Sequence, residues 1–531
     1  MAQGFTRPTA VLAGTNGAGD IVAIPTTGEG HVEVALHAPR LPFGEVSAES
    51  LLPVFQTDAV YGLNSSEAVA TTDGTGGTAT ASSNLFSVGT GGTTAGYFGA
   101  IQSRRRLRYR PGQGVVARFT MLFSTGIANN VQVVGVGTGE STFAFGYNGT
   151  AFGILRSSGG VREIQTLTVS AGAGGAENVT VKLNGVDTVV AVVSGSTTST
   201  AYQLSKATYS GWTASQRGAT VIFLANSVGD KAGTFSLAST GTAAGTFAET
   251  LAGVAATDTW TAQTAWNGDV CDGTGSASNP SGFLLDPTKG NVGQIGIQYL
   301  GFGAITFYLE VANSGNNADF VAVHTIRFPN TSTSVSVTQP SFPFLMSTYN
   351  TGTASGAITT KAASFAGFVA GQKRLTGPRM TYQTTSAVTS STSAYTPIFT
   401  VRNDIVFAAS GTVRANQSIV NLLSVSGAVK GNANAVTTFY LIRNATLSAG
   451  TPAFTSWDAT SVTFVDTAAT ACTFSTNSQV IWSASVSQDG QFSFAFTDDI
   501  TIQPGETVTL AVRSVTATAN CVGSLNTRED Q

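Results

Sequence analysis

In the segment AITFYLEVA, Ile305, Phe307, Leu309 and Val311 alternate with less apolar neighbours. Successive side chains of a strand point to opposite faces, so a period of two gives one face to a core and one to solvent. QFSFAF repeats the pattern with Phe492, Phe494 and Phe496, and ETVTLAV repeats it with Val508, Leu510 and Val512. Apolar runs stay short and are broken by Gly, Asn, Ser and Thr. Asn148-Gly149 and Asn184-Gly185 each sit between two such runs, which is a strong hairpin signal. This pattern predicts an all-β chain, built mainly from antiparallel β-sandwich or jelly-roll domains.

One stretch departs from it. TAYQLSKATYSGW carries Tyr202, Leu204 and Tyr209 at helix-compatible spacing and follows a hairpin. It predicts a small α+β insert over residues 166–255. The strand pattern resumes beyond it, so 56–165 and 256–372 are expected to form one sandwich. GQKRLTGPRM marks the next boundary, and 373–531 are expected to form a C-terminal sandwich with Phe492, Phe494, Phe496, Val508, Leu510 and Val512 in its core. Residues 1–55 read as an extended N-terminal docking arm, because Pro39, Pro42 and Pro53 break helix and central strand alike. With 531 residues, the chain has the length for several such units.

Composition then excludes several kinds of function. Only 10% of residues are charged and the net charge is -3, so no overall basic field draws nucleic acid. No apolar run reaches membrane-spanning length, and the N-terminus has no basic start followed by an apolar core, so neither membrane insertion nor secretion is expected. Cys271, Cys472 and Cys521 are odd in number and scattered, which predicts free thiols in a reducing cytoplasm. GVGTGE lacks the lysine and the strand-to-helix setting of a phosphate loop and reads as a turn. Asn267, Asp269 and Asp272 lie in a Gly-rich loop without calcium-loop spacing, so a surface turn is expected there. His324 shares a face with Phe320, Ala322, Ile326 and Phe328 and reads as a hydrogen-bonded core histidine. His31 and His37 lie in the arm. Asp498-Asp499 read as a strand-end turn. No nucleophile elbow is present. Paired carboxylates of a glycoside hydrolase meet only in space, so the sequence leaves that chemistry open. No catalytic, cofactor-binding or metal residue is assigned.

The remaining feature is RRRLRYRPGQG, with five arginines in its first seven residues. As a strand it points Arg104, Arg106, Arg108 and Arg110 one way, and Arg105, Leu107 and Tyr109 the other. A hairpin across Arg110–Gly114 would set Arg106 opposite Arg118. Like charges so placed repel, so the row needs anions. Tyr109 is on the wrong face to stack bases, and arginine without lysine suits fixed planar pairing. Arg104, Arg106, Arg108, Arg110 and Arg118 are therefore expected to form an assembly interface. Their partners would be carboxylates or carbonyl oxygens of the same or neighbouring chains, and not nucleic acid.

Several stretches together carry a resemblance. PVFQTDAVYGLNSSEA, GYFGAIQSRRRLRYRPGQGVVARFTMLF, FAFGYNGTAFGILRSSGG, TAWNGD, GNVGQIGIQYLGFGAITFYLE and VAVHTIRFPN resemble virion structural proteins of tailed bacteriophages and other aquatic viruses. IQPGETVTLAVRS and SLNTRED resemble β-sandwich tips of phage tail and fibre proteins. The resemblance covers most of 40–372 and, more weakly, the C-terminal block. It implies a concanavalin-like sandwich and brings no catalytic residue with it. The function it implies is that of a tail, baseplate or fibre component, assembled in the host cytoplasm and resident in the virion. Such a component would be a homotrimer whose N-terminal arm docks on other virion proteins. A capsid-surface spike or decoration protein and a glycan-cleaving tailspike enzyme are the alternatives. Binding of a host surface glycan by the C-terminal domain is compatible with all three.

Overall fold

The computed structural model describes residues 51–312, 318–370, 377–409, 411–431, 435–476, 478–497 and 500–530, together with the strands Ala13–Thr15 and Ile21–Ala23. The chain is all-β: among the described residues its strands pair into antiparallel sheets, with one short α-helix beside them.

The first sandwich is made of two sheets. One runs, in spatial order, through Thr257–Ala262, Ala151–Ser158, Ser141–Asn148, Asn130–Thr138, Phe344–Asn350, Phe98–Ser103 and Ala68–Thr72. The facing sheet is centred on Val115–Phe123, which pairs with Asn291–Ile297, Thr359–Ala362 and Ser364–Ala370. Alternation places Phe119, Phe145, Phe307, Phe344 and Phe365 between the sheets. Phe344 and Phe365 stack with centroids 4.0 Å apart, and Phe145 meets Phe307 edge-on at 5.3 Å. The edge-on geometry suits the ring quadrupole. Leu51–Asp58 pairs with Ser364–Ala370, so the chain is already part of this sheet before residue 55. The docking expectation for the arm, with His31 and His37, lies outside the described residues.

The chain leaves the sandwich after Ala151–Ser158 and returns in Thr257–Ala262, and these two strands pair with each other. Because exit and return are neighbours, the excursion between them leaves the sheet unbroken. Arg162–Ala171 pairs only with strands of the excursion, so the insert begins before the expected residue 166. It holds a four-stranded and a three-stranded sheet and the helix Thr197–Ser205, closed over Leu167, Val181, Leu204, Trp212 and Phe223. Ser196 caps the helix by accepting from Ser199 N. Asn184 and Gly185 both take positive φ (51° and 78°) in the two-residue turn between Glu177–Leu183 and Val186–Val192.

The C-terminal sandwich packs Ile419–Lys430 and Asn520–Asp530 against Thr396–Asn403, Thr507–Ser514 and Val436–Arg443. Val508, Leu510 and Val512 are fully buried. Phe492 and Phe496 pack on the core only in part, and Phe494, expected in the core, is 45% exposed. The reason is topological: Gln491–Ala495 is an edge strand, and Trp482, which stacks on Phe492 at 5.2 Å and Phe494 at 5.7 Å, lies on the edge strand of the facing sheet. Alternation tells which residues share a face, but not how far that face is covered.

Two further expectations are corrected. The arginine stretch forms no hairpin with Val115–Phe123. That strand has partners on both sides, so its hydrogen bonds are already taken. Only Leu107–Arg108 is extended into a ladder, and it pairs with Ser341–Phe342. Asp269 is not a surface turn residue but is 4% exposed, and it accepts from Cys271 N, Asn279 Nδ2 and Ser281 N at 2.6–2.9 Å. Those contacts are all donors, and together they hold its carboxyl below the usual value against the opposing effect of burial.

Candidate functional site

The arginine stretch lies where the two sandwiches meet. Leu107 and Tyr109 are buried on the side of the first sandwich, as the alternation requires. Gly367 makes room for this, since a Cβ there would lie 2.8 Å from Leu107 Cδ2 and 2.5 Å from Phe55 Cζ. The arginines turn to the other side. Arg110 Nη2 lies 2.6 Å from Asp530 Oδ2, and Arg108 Nε lies 3.6 Å from Asp530 Oδ1. Arg104 donates to Ser65 O and has Nη1 3.9 Å from Glu506. Asp530 and Glu506 belong to the C-terminal sandwich. Burial pushes the Arg108 guanidinium down, Asp530 counters it, and Arg110 and Arg414 add to it. Arg118 is elsewhere. It is exposed, donates to Gln294 Oε1 at 2.6 Å and lies over the rings of Phe320 and Phe368.

Two more polar clusters join the units. Glu140, in the turn after Asn130–Thr138, is buried, accepts from Arg162 Nε at 2.9 Å and from Gln417 Nε2 at 2.6 Å. It thereby ties the first sandwich to the insert and to the C-terminal sandwich. Asp404 is fully buried and accepts from Arg217 Nε at 2.7 Å and Ser215 Oγ at 2.5 Å, both in the insert, with Arg402 Nη2 at 3.5 Å. Burial alone would raise the Asp404 carboxyl. Arg402, Arg217 and the hydrogen bonds outweigh it and hold the group below the ordinary range. Arg402 lies 4.1 Å from the Phe454 ring centroid, and Arg217 lies 4.5 Å from that of Phe464.

Apolar contacts follow the same seam. Ile164, Ile222 and Leu224 of the insert pack with Ile405, Val406 and Ala415. Tyr202 of the helix packs with Ile442, Leu447 and Phe454, and its hydroxyl donates to Leu447 O at 3.2 Å.

The sequence reading named the arginines but missed Glu140, Arg162, Arg217, Arg402, Asp404 and Asp530. A signal was present: in so charge-poor a chain, Arg402 and Asp404 interrupt the apolar run of IFTVRNDIVF. Charges inside a core strand demand partners.

Other sequence candidates fall apart from this seam. His324 is 9% exposed, and its Nδ1 accepts from Asn267 N at 3.3 Å. Burial lowers its proton affinity. Cys271, Cys472 and Cys521 are free and buried, and burial pushes their thiols up to about 12, about 11 and about 11. Asp498-Asp499 lie outside the described residues. Among the described residues, no three His, Cys, Asp or Glu side chains gather as a metal site, and no helix is long and apolar enough to cross a membrane.

No family model matches the chain, and no curated protein matches it. Among solved structures, it is similar to a GH43 glycoside hydrolase engineered to display both endo-xylanase and exo-arabinofuranosidase activity. That likeness has a TM-score of 0.25 and 8% identity, over 67% of this chain and 48% of that one. The chain thus spans about half the length of the hydrolase. It is also similar to lectin II from Ulex europaeus, with a TM-score of 0.20 and 8% identity over 60% of this chain and 99% of that one. Similarities this slight assign neither a substrate nor a ligand.

Proposed function

We propose that the chain is a non-enzymatic structural protein of a tailed-phage virion, a tail, baseplate or fibre component that acts in assembly. One observation carries the reading: three buried carboxylates, Glu140, Asp404 and Asp530, join the three β units, while others, such as Glu529 and Asp466, are satisfied within one unit. Glu140, Asp404 and Asp530 each bind arginines across a seam. Glu529 accepts from Val462 N and Thr463 Oγ1, and Asp466 accepts from Ala453 N and Ala469 N. The seam carboxylates tie the units to one another, and a weakly charged body with β-sheet surfaces suits a subunit packed among others. In this proposal the chain forms a homotrimer, docks through its N-terminal arm on other virion proteins, and leaves its C-terminal sandwich free for host attachment.

Quantitative mass spectrometry of purified virions, with immunogold labelling, tests the reading. The expected result is a fixed copy number per particle, in multiples of three, with label on the tail. Absence from particles overturns it, and depolymerisation of host polysaccharide by the purified chain overturns the non-enzymatic part.

A further inference from the structure

The seam holds more positive charge than its described carboxylates balance. Arg105, Arg106, Arg108 and Arg110 line one cavity of about 40 Å³ together with a single acid, Asp530. Asp530 is already engaged with Arg108 and Arg110. Among the described residues, Arg106 Nη1 and Arg110 Nε are buried and have no hydrogen-bond acceptor. Glu140 is the carboxylate whose field reaches Arg106, but it is bound to Arg162 and Gln417. Burial is the main force pushing the Arg106 guanidinium down, to about 10, with Arg162 adding to it. A charged donor left without a partner away from water is costly, so such a group calls for an acceptor.

We propose that this cavity is a binding site for one small tetrahedral oxyanion, of the phosphate or sulfate class, held between Arg106, Arg108 and Arg110 at the seam of the two sandwiches. The volume is that of about three waters on the scale where one water needs ~10–15 Å³, which suits a single inorganic anion and no larger ligand. Guanidinium groups bind such oxygens through paired N–H donors. Gln503 also lines the cavity, and its Oε1 has no donor. With the amide turned over, its NH₂ faces the anion. The bound anion would neutralise the seam and so tie the first sandwich to the C-terminal one. This inference does not depend on the virion reading.

The test uses the full chain and inorganic phosphate as probe. Thermal unfolding is followed as phosphate rises at ionic strength held constant with sodium chloride, and binding is measured by equilibrium dialysis. The expected result is a saturable rise in Tm and one site per chain. Arg106→Met should weaken phosphate binding about tenfold or more, the loss expected for a charge-assisted donor. In phosphate-free buffer the same variant should be at least as stable as the wild type, because it removes a buried charge that lacks a counter-ion. A merely structural arginine would not produce that reversal. Arg106→Lys, which keeps the charge but loses the planar fork, should also weaken phosphate binding, and a Met variant that fails to fold in phosphate-free buffer overturns the expected reversal. No saturable response in the wild type, or unchanged affinity in either variant, overturns the proposal.

Discussion

Asp404 shows how much a single buried carboxylate can carry in a chain so poor in charge. Its oxygens serve Arg217, Arg402, Ser215 and the Ile405 amide. Asp404→Asn keeps the shape but leaves two guanidinium groups without their anion, and should cost about 3–5 kcal/mol. The pH dependence has a definite sign. The folded Asp404 carboxyl lies below its unfolded value, so its stabilisation is fully present above about pH 4 and is lost as pH falls through the folded value. Burial raises Asp466 instead, so that group works in the opposite direction. The difference between wild type and Asp404→Asn therefore isolates Asp404. Urea unfolding midpoints should differ most near neutral pH and converge below about pH 4. A constant difference down to the acid limit would exclude this role.

At the scale of elements, the sequence carried direction well and coverage poorly. The alternation of Leu107 and Tyr109 against Arg106, Arg108 and Arg110 was legible, because side-chain period is a local property of a strand. Arg105, expected with Leu107 and Tyr109, instead lines the same cavity as the other arginines, because residues 104–106 are not strand. The strand's partner was not, because pairing depends on which edges are free: Val115–Phe123 was claimed by strands more than 150 residues later. The Asn184-Gly185 hairpin was legible for the opposite reason, since its turn chemistry and its pairing lie within one short segment. The candidate site was half legible: the arginines stand out in the sequence, but their carboxylates are brought to them by tertiary contacts. Phe494 and Leu510 share the same alternating pattern yet differ in position, one on an edge strand and one in a central strand. Leu510→Ala should lower stability by about 2–5 kcal/mol, the usual cost of emptying a closed core site. Phe494→Ala, at a site already open to water, should cost well under half as much. Equal losses in chemical unfolding would mean that the edge strand is covered in solution.

For the whole molecule, the clusters at the seams decide whether three β units behave as three proteins or as one. The insert and the C-terminal sandwich share the Asp404 ion cluster, the Tyr202 contact and the cluster of Ile164, Ile222 and Leu224 with Ile405 and Val406. Ile405 is 5% exposed and belongs to the C-terminal sandwich in sequence, but its apolar neighbours include three residues of the insert. Truncating it should therefore weaken both units. Ile405→Ala is expected to cost about 2–5 kcal/mol if the two unfold together. Hydrogen exchange reads the two units separately: protection should fall in parallel in Thr220–Val228 of the insert and in Thr396–Asn403 of the C-terminal sandwich. The strands at the centre of the first sandwich, such as Ser141–Asn148, should change less, because their core of Phe143 and Phe145 makes no use of Ile405. Loss of protection confined to Thr396–Asn403 would show that the units unfold independently, and that the seam only holds their relative positions.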